Sequence, residues 1–275
     1  MIRAKTAWRS LRMFLAYRRI NRPRELKREH AFEYLTWRAK PDRKAGKYRA
    51  SHNTARLELI FLSIVMDEAV LRHYAAGNPL VKLGIKRDEA RIRPEFTQAV
   101  LDEIAAAIER EKGPYKTMLR NSFWIARWHG RRFAETYLNP MKDVVYDAKQ
   151  RIYLITFRNK GGKLSTKKLH DELVPLFERL RAARVAETFP YSKRMSRVWH
   201  DFLKRVKDVD GRSIPERFPN ACFHSLRVTV ISRMARNRVP QRDSMEYVDH
   251  ASTEIHRAYR RVNAKDLADC EKAVR

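Results

Sequence analysis

Glycine is scarce, at 8 of 275 residues, and no glycine-rich phosphate loop occurs. That argues against chemistry driven by a bound nucleotide. Two cysteines, Cys222 and Cys270, are too few for a disulfide framework or a zinc site, and a reduced, cytoplasmic location is the expectation. No apolar run approaches the ~20 residues a membrane span needs. The opening MIRAKTAWRSLRMF has arginines where a signal peptide would be apolar. Acidic residues are outnumbered, 32 against 60 Lys and Arg, and no carboxylate cluster of the kind that holds catalytic divalent ions is seen. No metal and no cofactor are expected. Internal repeats and low-complexity tracts are also missing.

What is present is positive charge. The formal net charge is +28, and basic surface of that extent converts into salt-sensitive affinity for a polyanion through counterion release. Residues 1–90 hold 21 basic and 9 acidic side chains and carry +12, leaving +16 on residues 91–275. A membrane-surface protein would place its charge on one amphipathic segment; here both parts are dressed for nucleic acid. With 44% hydrophobic residues, one or two packed cores are within reach.

Periodicity predicts helices over Lys5–Tyr17 (apolar Trp8, Leu11, Leu15), Arg24–Ala39 (Leu26, Ala31, Phe32, Leu35) and Thr54–Ala76 (Leu57, Ile60, Phe61, Ile64, Val65, Ala69). The charged stretch Lys86–Arg93 before Pro94 marks a domain boundary. Beyond it, helices are expected over Phe96–Ile108, Lys116–Trp128 (stopped by Gly130) and Arg132–Leu138. DVVYD, RIYLITF and Leu164–Leu169 read as strands, with Asn159-Lys160-Gly161-Gly162-Lys163 as a turn. Helices return over Asp171–Ala183, Ser192–Val206, His224–Asn237 and Thr253–Val262. The fold class is mainly α with a small antiparallel β-sheet (α+β).

His224 and Arg227 stand three apart at a helix start and share a face, with Leu226, Val230 and Met234 on another, toward the core. By itself, H-x-x-R is most often a solvated basic helix edge. Downstream come Asp249-His250 and, nine residues after that histidine, Tyr259. Upstream lie His129-Gly130-Arg131-Arg132-Phe133-Ala134-Glu135 and the Lys160 turn. A phenol can attack a phosphodiester if cations hold the charge that builds on phosphorus, and a guanidinium grips two phosphate oxygens at once.

In this order and spacing the residues resemble the tyrosine recombinase (phage integrase) family over roughly residues 5–275. Aligned on the glycine of the family's T-G-x-R-x-x-E, Arg132 becomes the first catalytic arginine and Glu135 the acid that orients it. His129 stands where threonine is usual, and the neighbouring Arg131 remains open. The family lysine between the second and third strands falls on Lys160, with Lys163 as the alternative. His224 and Arg227 match H-x-x-R, His250 the histidine after a glycine, and Tyr259 the nucleophile. Asp249 replaces that glycine, a departure at the turn because aspartate adopts φ > 0 less readily.

The resemblance implies an N-terminal helical core-binding (SAM-like) domain over 1–90 and a catalytic domain over 91–275, with a C-terminal helix at 264–275. It implies site-specific recombination of double-stranded DNA through a covalent 3′-phosphotyrosine, without metal or ATP. His224 would serve as base, His250 would support the phosphate or the proton path, and Lys160 would be the acid. A type IB topoisomerase and a non-catalytic DNA-binding relative are the alternatives. Arg43, Lys44, Lys47, Arg49 and Arg56 are DNA-contact candidates. The expected assembly is a homotetramer on two DNA sites, monomeric or dimeric when free, in the cytoplasm at the nucleoid. Leu267, Cys270 and Val274 form a stripe that caps a neighbouring protomer or packs in cis. With the core-binding helices leading the chain, a simple recombinase or a piece of a longer one is expected.

Overall fold

The computed structural model describes residues 2–41, 50–89, 91–159 and 161–257. The chain divides into two compact units, Met1–Ala90 and Arg91–Arg275.

The first unit is built on α1 (Ile2–Tyr17), α2 (Arg28–Ala39) and α3 (His52–Leu71). Ser51 starts α3, its hydroxyl accepting the Thr54 N–H at 3.3 Å, an N-cap. Its end at Leu71, short of the expected Ala76, follows from His73, which turns to φ 60. The second helix begins later than expected, because Pro23–Glu25 forms a separate 3-10 turn. Leu11 and Phe14, Ala31 and Tyr34, and Leu59, Leu62 and Met66 make the core. The expected apolar face of α3 is turned away from it. Leu57, Ile60 and Ile64 are exposed, as are Trp8 and Phe32, and of that set only Ala69 is buried. The helix is apolar around much of its circumference, so periodicity could not select one stripe. The face that packs inward includes Glu58, which accepts from Tyr34 Oη at 2.6 Å and Arg38 Nε at 3.0 Å. Arg56 donates from Nε to the Ile85 carbonyl at 2.9 Å, tying the returning segment to α3.

The second unit contains α4 (Gln98–Arg110), α5 (Lys116–His129), β1 (Val144–Asp147), β2 (Ile152–Arg158), β3 (Leu164–Lys168), α6 (Val174–Ala182), α7 (Met195–Arg205), α8 (Ile214–Arg217), α9 (His224–Arg236), α10 (Gln241–Val248) and α11 (Thr253–Arg257). The strands form an antiparallel sheet in the order β1-β2-β3, with Val144 opposite Ile155 and Phe157 opposite Ser165. This is the mainly helical architecture with a small sheet expected from the sequence. Helix α5 is central. Leu119, Phe123 and Ala126 join Ile104, Trp199, Phe202 and Leu226 in the larger core. Ile125 instead meets Val144, Ile155, Phe157 and Phe177 beneath the sheet.

Two local expectations are corrected. Arg132–Leu138 is not a helix; only Phe133–Thr136 makes a 3-10 turn. Side chains take backbone donors there: Glu135 accepts the Arg132 N–H at 2.9 Å and Thr188 Oγ1 the Leu138 N–H at 3.1 Å. Conversely α10 forms without having been expected, because its polar sequence buries only Ser244 and Val248, too sparse for a periodic signal. Among the described residues no helix is long and apolar enough to cross a membrane.

Candidate active site

Helix α5 closes on Gly130 at φ 61. A Cβ there would lie 3.2 Å from Val230 and Val248, so both the turn and the close approach to α9 and α10 require glycine. Past this turn the two consecutive arginines part. Arg131 is fully buried, 3.9 Å from the centre of the Phe157 ring, with Nη2 donating to the Tyr247 carbonyl at 2.9 Å and Nη1 paired with Asp249. Arg132 keeps 40% of its side chain exposed and is held by Glu135 Oε1 at 2.6 Å. Of the two residues left open by the sequence, Arg132 lines a cleft and Arg131 is locked in the interior.

Helix α9 begins at His224 and presents Arg227 one turn on. Arg227 is fully buried, and each of its three nitrogens donates a hydrogen bond within the protein. Nη1 donates to the Gly130 carbonyl at 2.8 Å, Nη2 to the Val248 carbonyl, and Nε to His250 Nε2 at 3.1 Å. It therefore joins the ends of α5 and α10 to the histidine. Because His250 Nε2 accepts, the neutral ring carries its proton on Nδ1, which faces His256 Nδ1 at 3.1 Å. Asp249, the residue before it, does take the left-handed conformation, φ 54 and ψ 53, as the cap of α10.

The cleft has a volume of about 410 Å³, and Arg132, Asn159, Lys163, Asp249 and His250 are among its walls. Burial, then the charges of Arg93, Arg227 and Arg132, push the His224 imidazole down to about 3. Burial and Arg227, with His256, Arg132 and His224 adding to it, do the same to His250, also about 3. Both rings are neutral near pH 7. His224, Arg227, His250, Arg132 and Glu135 are thus brought together from three separated stretches of chain. Lys160 and Tyr259 lie outside the described residues, as do Arg43, Lys44, Lys47, Arg49 and the segment 264–275.

Several contributors had no sequence signal. Arg93 was a boundary charge before Pro94, and it proves close enough to His224 to depress its basicity. His256 was one of several charged or polar neighbours of Tyr259, and it is buried against His250. His129 is fully buried, accepting the His170 N–H at 3.2 Å and meeting the Tyr247 hydroxyl at 3.1 Å. Burial, then Arg131 and His170, depress it to about 3.

These shifts have a consequence for stability. A histidine held near 3 in the folded chain but near 6.5 when unfolded binds its proton more tightly in the unfolded state. Its contribution is intact above pH 6.5 and is lost as pH falls toward 3. For the deeply buried His129 alone the loss approaches about 1.4 kcal/mol per pH unit below 6.5, and His224 and His250 act in the same direction. Urea midpoints should hold between pH 7.5 and 6.5 and fall steadily from pH 6.5 to 5. A flat profile would mean that these rings are not buried as neutral species.

No curated protein matches the chain in sequence. Among solved structures it is similar to the XerH site-specific recombinase bound to palindromic difH substrate in a post-cleavage complex, at 16% identity and TM-score 0.63, covering 90% of this chain and 70% of that one. It is likewise similar to the Tn1549 transposon integrase in complex with transposon right end DNA, at 14% identity and TM-score 0.65, covering 96% and 92%. The lambda integrase dimer bound to a core site gives 17% identity and TM-score 0.65, covering 96% and 89%. Likeness at this identity concerns the fold. The family profile described as the phage integrase family matches residues 94–266, more than half of the sequence. The chain therefore belongs to the phage integrase family and has the tyrosine recombinase fold.

Proposed function

We propose that this chain is a site-specific recombinase that cuts and rejoins duplex DNA through a covalent 3′-phosphotyrosine, with Tyr259 as the nucleophile. The convergence of Arg132, His224, Arg227 and His250, with Arg132 and His250 in the wall of one cleft, carries the reading. Arg132 and Arg227 neutralise the nonbridging oxygens as the phosphorus becomes five-coordinate, the role a preorganised donor plays in any charged transition state. His224 accepts the phenolic proton while the Tyr259 oxygen bonds to phosphorus. A bound phosphodiester brings negative charge that offsets the arginines depressing His224, so the imidazole becomes a better base when substrate is present. His250, held by Arg227, supports the phosphate. The P–O5′ bond breaks as Lys160 protonates the leaving oxygen. The phosphotyrosine ester keeps the bond energy, and attack by a 5′-hydroxyl reverses every transfer without ATP. In the N-terminal unit Arg43, Lys44, Lys47, Arg49 and Arg56 are the candidates for contact with the DNA groove.

The test is covalent capture. Incubation with nicked genomic fragments in the presence of a chelator should give a protein–DNA adduct that survives boiling in detergent. Sequencing the captured ends should return one recurring site. Absence of an adduct, or a strict Mg²⁺ requirement for its formation, would overturn the reading. Recombination between two copies of the recovered site distinguishes this activity from that of a type IB topoisomerase.

Strand exchange between two duplexes needs a cutting subunit at each of four half-sites, hence a homotetramer at the nucleoid. The segment 264–275, with Leu267, Cys270 and Val274 as its apolar residues, is the connector we propose between protomers. Residues 265–275 hold as many acidic as basic side chains. Their deletion should therefore leave single-site band shifts nearly unchanged while abolishing synaptic complexes. Efficient recombination by the truncated chain would exclude a trans cap.

A further inference from the structure

Asp249 occupies the position at which the family pattern has a glycine, and its carboxylate is committed inside the cleft. Three stretches meet on it. Arg131, which precedes Arg132, forms a buried ion pair with it. Ser165 Oγ donates to Oδ1 at 2.9 Å and Lys167 Nζ lies 3.8 Å away, while the Asn159 side chain is near enough to help lower the Asp249 carboxyl. His250 follows it directly in the chain.

The hairpin contacts are placed to grip a turn. On β3, Ser165 and Lys167 are half-buried while Leu164, Thr166 and Lys168 are exposed, so period-two alternation turns the first pair inward. Asn159 stands at the opposite foot and closes the turn itself, its N–H bonded to the Lys163 carbonyl at 2.8 Å and its carbonyl accepting the Gly162 N–H at 3.0 Å. One carboxylate thus holds the β3 foot of the hairpin and lies beside Asn159 at its β2 foot. At the other end of the turn Lys163 lines the cleft.

We propose that Asp249 is a positioning residue that clamps the β2–β3 hairpin to the His250 turn and so fixes where the hairpin lysine delivers its proton. The proposal rests on the recombinase reading above. A glycine would satisfy the backbone but offers no oxygen. A bare carboxylate beside a phosphate site would repel substrate, and Arg131 neutralises that charge. Burial pushes the Asp249 carboxyl up, but Arg131, Ser165 and Asn159 outweigh it and hold it below the usual carboxylate range.

The test uses the captured site with an ordinary 5′-bridging oxygen or with sulfur in its place, since a thiolate leaves without a proton. Asp249→Gly accommodates φ 54 but strands the buried Arg131. A second variant, Asn159→Ala/Ser165→Ala, therefore cuts the hairpin anchors and leaves the ion pair intact. Lys160→Ala and Lys163→Ala run alongside as references for loss of the acid. Both clamp variants should bind the site like wild type. They should cleave ordinary DNA about 10²-fold more slowly, the scale of a misplaced reacting group, and recover most of that loss on the sulfur substrate. Equal loss on both substrates, or wild-type rates for the Asn159/Ser165 variant, would overturn the clamp. Failure of the wild type to form any adduct would instead reject the recombinase reading.

Discussion

Tyr259→Phe should bind the captured DNA site with wild-type affinity and form no covalent adduct. The substitution removes one oxygen and no charge. Affinity arises from many Lys and Arg contacts to phosphates, so it is untouched. The nucleophile, by contrast, has no substitute, because water cannot give a protein-linked product. The effect is all-or-none, and detergent gels of wild type and variant on nicked DNA measure it. An adduct in the phenylalanine variant would assign the nucleophile to another residue.

The two arginines should differ in a way that only their surroundings explain. Arg132→Ala should slow cleavage by at least about 10²-fold, the usual cost of one transition-state donor. Its effect on folding should be smaller than that of Arg227→Ala, since the Arg132 side chain is 40% exposed and the buried Glu135 carboxylate keeps the residue-132 backbone N–H as a donor. Arg227→Ala should lose cleavage to at least the same extent and also destabilise the chain. Arg227 is wholly buried and donates to Gly130, Val248 and His250. Deleting it leaves those acceptors dry and unpaired, at about 1–3 kcal/mol each. Urea unfolding beside single-turnover cleavage separates the two effects. Arg132→Ala cleaving at the wild-type rate would remove it from the site, and an unchanged Arg227→Ala midpoint would contradict its structural role.

Much of this was legible in the residues themselves. The charge excess and the order Arg132, Lys160, His224, Arg227, His250, Tyr259 pointed to phosphodiester chemistry. The alternation in RIYLITF marked a strand because side chains repeat every two residues, and Gly130 marked the end of α5 because only glycine fits there. Local signals of this kind depend on neighbours in the chain, and such neighbours are written in order.

What the sequence left open depended on neighbours far along the chain. Nothing local distinguishes Arg131 from Arg132. The choice is made by Phe157, Tyr247 and Asp249, which enclose one guanidinium and leave the other in the cleft. The inward face of α3 was decided by Tyr34 and Arg38, which draw Glu58 into the core ahead of Ile60 and Ile64. The sequence determined which chemical groups the chain carries and in what order. The tertiary structure alone decided which of them are buried, paired and turned toward the cleft, because burial and ion pairing are set by packing between distant segments rather than by local propensity.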